Sequence, residues 1–89
     1  MDNDTKRKLV AERERAALAQ QLFDNPLWDE AWEIQIEGIW NAWRKSDPGD
    51  TESRERAYMA LKAVENTRKH IKTIITTGKM AEQSLEEDK

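Results

Sequence analysis

Residues 57–78, AYMALKAVENTRKHIKTIITTG, decide the fold of this 89-residue chain. Within them one set of positions alternates spacings of four and three residues: Ala57, Leu61, Val64, Arg68, Ile71, Ile75 and Gly78. This spacing places the whole set on one side of a helix and is typical of the seam of a helical hairpin or coiled coil. It predicts a helix over residues 51–77, capped at its start by Asp50 or Thr51 and ended by Gly78.

The preceding segment, residues 25–43, NPLWDEAWEIQIEGIWNAW, contains all four tryptophans of the chain. Asn25 suits a helix N-cap and Pro26 suits the first helical position, so a helix is predicted over residues 26–45. One side of this helix carries a stripe of bulky apolar residues: Trp28, Trp32, Ile36, Ile39 and Trp43, with Trp40 at its margin. A short polar loop then brings residues 51–77 back against it as an antiparallel hairpin.

A second apolar strip, of smaller volume, lies on another side of the tryptophan helix. It consists of Leu27, Ala31, Ile34, Gly38 and Ala42. Its small side chains would let another backbone approach closely. The helix therefore has two apolar sides, and a single hairpin partner covers only one of them.

A further helix is predicted over residues 5–23, with Leu9, Ala16 and Phe23 on one side. Its amphipathic pattern is weak, so it needs a neighbour, either in the same chain or in another copy. The chain is too short for more than one domain. We therefore expect a single all-α domain over residues 1–89, either a three-helix bundle or an oligomeric helical bundle, with residues 1–4 and 86–89 frayed.

Charge is distributed unevenly along the chain. Residues 24–43 contain five acids and no base, whereas residues 54–72 contain six bases and two acids. Pairing of the two oppositely charged helices is the simplest explanation. The chain has no cysteine, which excludes disulfides and thiolate metal sites, and no apolar run of about 18 residues, so a cytoplasmic protein without membrane contact or cofactor is expected.

Arg68 occupies a position in the seam where leucine would be typical. It either fixes the register by pairing with Glu33 or Glu37, or binds an anionic ligand. A basic stripe, Lys62, Lys69 and Lys72, flanks the seam beside Tyr58, and with Arg68 it forms a candidate anion-binding set. Nucleic-acid binding, including a packaging-related role, is therefore one alternative function, although the pI of about 5.2 is far from that of a dedicated DNA-binding protein.

Clustered carboxylates suggest an alternative function, that of a Mg²⁺-dependent enzyme. Glu30, Glu33 and Glu37 share one side of the second helix, and Glu52 and Glu55 open the third. Acidic pairs on neighbouring helices hold Mg²⁺ in all-α nucleotide pyrophosphohydrolases, so a hydrolase of this kind is a lower alternative. The ExxD pattern on the second helix of such enzymes is missing, His70 stands alone, and we assign no catalytic or metal-binding residue.

Residues 25–85 resemble small helical proteins encoded among tailed-bacteriophage and prophage genes. The resemblance rests on Trp43-Arg44, Asp50-Thr51-Glu52, Arg54-Glu55-Arg56 and Thr77-Gly78-Lys79-Met80-Ala81. It implies a phage setting, in the bacterial host cell or the phage particle, with a role in head assembly or packaging and no specific activity. Together these observations predict a non-enzymatic protein-interaction module that binds itself, another protein, or both.

Overall fold

The computed structural model describes all residues, Met1–Lys89, and contains three α-helices and no strand. Helix α1 spans Asn3–Asp24, α2 spans Pro26–Lys45 and α3 spans Thr51–Glu87. The predicted all-α fold, a helical hairpin preceded by an additional helix, is confirmed. The bounds of α1 and α2 lie within two residues of those predicted.

Each helix begins at a side chain that accepts a hydrogen bond from its first turn. The Asp2 carboxylate accepts the backbone N–H of Thr5, and the Asn25 side chain accepts that of Leu27. Asp50 accepts both the backbone N–H and the hydroxyl of Ser53. These caps satisfy N–H groups that have no partner inside the helix, and they fix the three starting points.

Helices α1 and α2 both run antiparallel to α3 and lie end to end along it. The amino group of Met1 lies 3.6 Å from the Asp88 carboxylate, at the far end of α3. Arg68 lies over the ring of Trp32, and Arg54 lies over that of Trp43. The molecule is consequently a long hairpin of 61 × 25 × 15 Å whose first arm is broken at Asn25.

The end of α3 differs from the prediction. Gly78 does not terminate the helix, which continues to Glu87, and no glycine has a positive φ. Gly78 is instead buried where α1 passes closest: a Cβ there would overlap the Cβ of Ala16 and lie 2.9 Å from the Glu12 carbonyl oxygen. Gly78 is therefore a close-approach glycine inside the helix.

The seam of α3 also extends past Gly78. Ala81 and Leu85 follow Gly78 at spacings of three and four residues, and both are buried. The strict alternation breaks once, because the steps into and out of Gly78 are both three residues. They pack with the side of α1 that carries Ala16 and the buried Ala19. The predicted α1 side of Leu9, Ala16 and Phe23 is less exposed than the opposite side, where Leu18 is open to solvent.

Candidate interaction surface

The tryptophan stripe divides into two parts in the structure. Trp28 and Trp32 are half-buried and meet edge to face with ring centroids 5.1 Å apart, and Trp28 also contacts Phe23 at 5.5 Å. Trp40 and Trp43 form a second edge-to-face pair at 6.1 Å, but they keep 40% and 38% of their surface exposed. Only the first pair is thus largely covered by the chain itself.

Two polar groups of the covered tryptophan pair have no hydrogen-bond partner. The indole Nε1 atoms of Trp28 and Trp32 are shielded from solvent and have no hydrogen-bond acceptor in the chain. A buried donor without an acceptor is unfavourable because it loses its bond to water. The contact between α2 and α3 therefore leaves two N–H donors without acceptors, which is unusual for a protein core.

Arg68 contacts an aromatic ring rather than a carboxylate. Its guanidinium carbon lies 5.9 Å from the centroid of Trp32. The expected pairing with Glu33 or Glu37 does not form, and Glu37 pairs with Arg44 of its own helix at 3.5 Å. The indole lies between the helices, and the arginine makes a long cation–π contact over its ring.

Helices α2 and α3 pack side by side, as their opposite charges predict, but no ion pair joins them. The ion pairs present in these helices lie within one helix: Arg44–Glu37 in α2, and Arg56–Glu52 and Lys62–Glu65 in α3. All are exposed and contribute little to stability. The charge asymmetry between α2 and α3 is therefore not neutralised by contacts inside the hairpin.

An apolar groove of about 180 Å³ opens on one side of the hairpin near the loop. We call this side the tryptophan face. Its lining is entirely hydrophobic: Ile39, Trp40, Trp43, Ala57, Tyr58 and Leu61. Tyr58 is 58% exposed, and the Lys62 ammonium lies 5.6 Å from its ring centroid. The tryptophan face thus joins the exposed tryptophan pair to the predicted basic stripe.

The opposite side of the hairpin carries a wider and more polar groove of about 470 Å³. Ile34, Gly38 and Ala42 of the predicted second strip line it, together with Ser53 and Arg56 of α3. Nothing lies within 4 Å of the position that a Cβ on Gly38 would take. Both apolar sides of α2 are consequently open, one rich in aromatic rings and the other in small side chains.

The seam residues of α3 lie where the spacing placed them. Ala57, Leu61, Val64, Arg68, Ile71 and Ile75 are all half-buried beneath α1 and α2. In α2, Ile36 and Ile39 are half-buried as well. The sequence did not indicate the stacking of Arg54 on Trp43 at 4.4 Å, since an arginine at the start of a helix reads as a solvated charge.

The carboxylates singled out in the sequence do not converge. Glu30, Glu33 and Glu37 line an open groove on the outer side of α2, while Glu52 pairs with Arg56 in α3. No group of three or more histidine, cysteine, aspartate or glutamate side chains is placed to hold a metal ion. His70 lines a small groove between α1 and α3 with Glu12 and Arg15.

Comparisons of the chain with protein-family models, with curated proteins and with solved structures give no match. None of the three helices combines the length and the apolar character that a membrane span requires.

Proposed function

We propose that this protein is a non-enzymatic self-association module whose partner is another copy of the same chain. The observation that carries the proposal is the size of its surface. The chain exposes 6992 Å², whereas a folded monomer of its mass is expected to expose about 5,400 Å². Its radius of gyration is 18.9 Å, against about 12 Å for a compact chain of this length.

The small interior supports the same proposal. Only four of the 89 residues are buried, and all four lie where α1 meets α3: Ala19, Gly78, Ala81 and Leu85. None belongs to α2, although α2 carries every tryptophan. Since burial of apolar surface supplies most of the free energy of folding, the α2 half of the hairpin needs a covering partner.

The exposed area in excess of that of a compact monomer is large enough for an interface with such a partner. A stable interface buries roughly 800 Å² on each subunit. The excess over a compact monomer is about twice that area. Association of two or more copies therefore offers the apolar cover that one chain does not provide.

We further propose that the module serves as a phage accessory protein in head assembly or packaging. This part of the proposal rests on the resemblance of residues 25–85 to small phage proteins. A protein that assembles by presenting apolar helix faces suits such a role. The structural observations support self-association alone.

Dependence of stability on protein concentration tests the proposal. If folding is coupled to association, a hundredfold increase in protein concentration adds about 2.7 kcal/mol to the free energy of unfolding. The urea midpoint, followed by tryptophan fluorescence, should then rise by about 1 M. A midpoint that stays constant over this range would contradict self-association.

The basic stripe favours one second candidate, nucleic-acid binding. Lys69 and Lys72 take part in no ion pair, so their charges are available to phosphates. Such binding would weaken steeply with salt and would be abolished by exchanging Lys62, Lys69 and Lys72 for glutamate. The net charge of −3 disfavours it, and we expect no retention of duplex DNA at physiological salt.

A further inference from the structure

We propose that two copies associate through their tryptophan faces about a twofold axis parallel to the hairpin, so that α2 of each copy lies on α3 of the other. This inference rests on the proposed self-association and names its surface and its orientation. The four helices would then form a bundle in which every helix is antiparallel to its neighbours.

Each helix presents a regular row of residues on the tryptophan face. In α2 the row runs Asp29, Glu33, Ile36, Trp40 and Trp43, and in α3 it runs Tyr58, Lys62, Glu65, Lys69 and Lys72. Glu33 lies at the edge of its row, where the tryptophan face borders the outer groove of α2. Both rows have spacings of four and three residues, which keeps their members on one side of a helix. Trp40, Trp43 and Tyr58 line the same groove, so the two rows face the same way.

The two rows differ in charge at one end and are both apolar at the other. Arg54 stacks on Trp43 and Arg68 stacks on Trp32, which sets the levels of α2 against α3. At those levels Trp40 lies beside Tyr58, near the loop. Asp29 lies beside Lys69 and Lys72, towards the middle of the molecule. The face thus has an aromatic end and a charged end. The charged end carries Asp29 and Glu33 on α2, and Lys69 and Lys72 on α3, where Glu65 is paired with Lys62.

This charge pattern selects the orientation of the dimer. With the axis parallel to the hairpin, Asp29 meets Lys69 and Lys72 of the second copy and Trp40 meets Tyr58. Glu33 meets Glu65, whose charge is paired with Lys62 of its own helix. With the axis perpendicular to the hairpin and through the middle of the molecule, α2 would lie antiparallel on α2 and α3 on α3. Asp29 would then face Asp29, and Lys69 would face Lys69, of the other copy. Opposed like charges across an interface are strongly unfavourable. In the orientation with the parallel axis, Asp29, Lys69 and Lys72, which form no ion pair inside one hairpin, lie near opposite charges of the other copy.

The other open side lacks such a pattern. Leu27, Ala31, Ile34, Gly38 and Ala42 carry no charge, and the groove beside them has Arg56 as its sole charged lining residue. Carboxylates flank this strip only on the outer side of α2, so this side lacks the facing acidic and basic rows that would orient a second copy. The broad face of the molecule measures 61 × 25 Å, which has room for the roughly 800 Å² that each subunit of a stable dimer buries.

Two matched substitutions test the surface. Trp40→Glu places a carboxylate at the aromatic end, and Ile34→Glu does the same at a 63% exposed apolar residue on the opposite side of α2. By light scattering at a concentration where the parent chain is dimeric, we expect Trp40→Glu to be monomeric and Ile34→Glu to remain dimeric. The opposite pattern would overturn this inference while leaving self-association intact. A monomeric parent chain would refute the proposed function as well.

A second variant covers the case in which Trp40→Glu fails to fold. Lys69→Glu combined with Lys72→Glu alters two exposed side chains of α3 and leaves the aromatic end unchanged. In nuclease-treated protein, we expect this pair to weaken dimerisation at least tenfold. Unchanged dimerisation would overturn the inference. Unchanged dimerisation together with lost binding to added duplex DNA would overturn it in favour of nucleic-acid binding.

Disulfide trapping tests the orientation, since the chain has no cysteine of its own. Glu33 of α2 and Glu65 of α3 lie at the same level in the two rows. A mixture of Glu33→Cys chains with tagged Glu65→Cys chains should oxidise mainly to the mixed dimer. If the mixture yields no more mixed dimer than either variant alone yields of its own dimer, the proposed orientation is wrong.

Discussion

Two glycines show how one residue type acts in opposite ways in this protein. Gly78 is buried where α1 crosses α3, and it has no room for a side chain. Gly38 faces open space on α2. The sequence marked Gly78 as a helix end because glycine is common at that position. The apolar residues Ala81 and Leu85, three and seven positions after Gly78, were the signal in the sequence that the helix continues.

Substitution of the two glycines by alanine should have opposite effects. Gly78→Ala forces α1 away from α3, and we expect it to lower the free energy of unfolding by about 1–3 kcal/mol. Gly38→Ala should raise it by up to about 1 kcal/mol, because alanine favours the helix and meets no neighbour. Urea unfolding at one fixed protein concentration measures both. Equal effects at the two sites would show that α1 does not pack on Gly78.

Asp50 links the stability of α3 to pH. Hydrogen bonds from the hydroxyl and then the backbone N–H of Ser53, with smaller contributions from Arg56 and Arg54, hold its pKa below the ordinary range. Because the folded pKa is depressed, the cap stabilises the fold above the unfolded pKa, and this contribution is lost as the pH falls through the folded value.

The asparagine variant should isolate this effect. Asn is as good an N-cap as Asp but does not titrate, so Asp50→Asn should lose less stability than the parent chain between about pH 5 and pH 2. Urea midpoints at a series of pH values give the comparison. Parallel curves for the two proteins over this range would show that the Asp50 cap contributes no pH dependence.

At the scale of the helices, α3 is the element on which the other two depend. The alternating spacing of residues 57–78 predicted the hairpin, and a proline after an asparagine predicted where α2 begins. The position of α1 could not be predicted in the same way. Its small alanines fit many surfaces, and only the structure shows that they pack on the C-terminal half of α3.

Helices α2 and α3 form no ion pair with each other although their charges are opposite. The reason is the size of the side chains between them. Bulky indoles between two helices leave little room for short carboxylates to reach across. The arginines that do reach across, Arg54 and Arg68, meet aromatic rings. The number of charges along the chain does not show that indole rings, rather than carboxylates, fill the space between the helices.

Removal of the last residues tests the role of α3 as a support for α1. A chain that ends at Thr77 lacks Gly78, Ala81 and Leu85, which hold the buried side of α1. Because an isolated helix of this composition is marginal in water, α1 should unfold together with the deletion. Circular dichroism should then show a loss of up to 22 further helical residues. A loss limited to the deleted residues would mean that α1 is stable by itself.

The whole molecule is a flat, elongated hairpin with very little interior. Composition predicted exposed helices, and the four tryptophans predicted an unusual amount of apolar surface. How much of that surface the chain covers depends on the levels and spacing of the helices, which only the structure provides. It shows that the chain covers one tryptophan pair and leaves the other at the surface.

The mass of the protein in solution shows whether the chain associates with itself. Sedimentation equilibrium over a wide range of concentration should give twice the 10.4 kDa mass of the chain, falling towards the single-chain value only on strong dilution. A mass of one chain at every concentration, with the helices still folded by circular dichroism, would rule out self-association. It would mean that one copy is stable with its tryptophan face open to water.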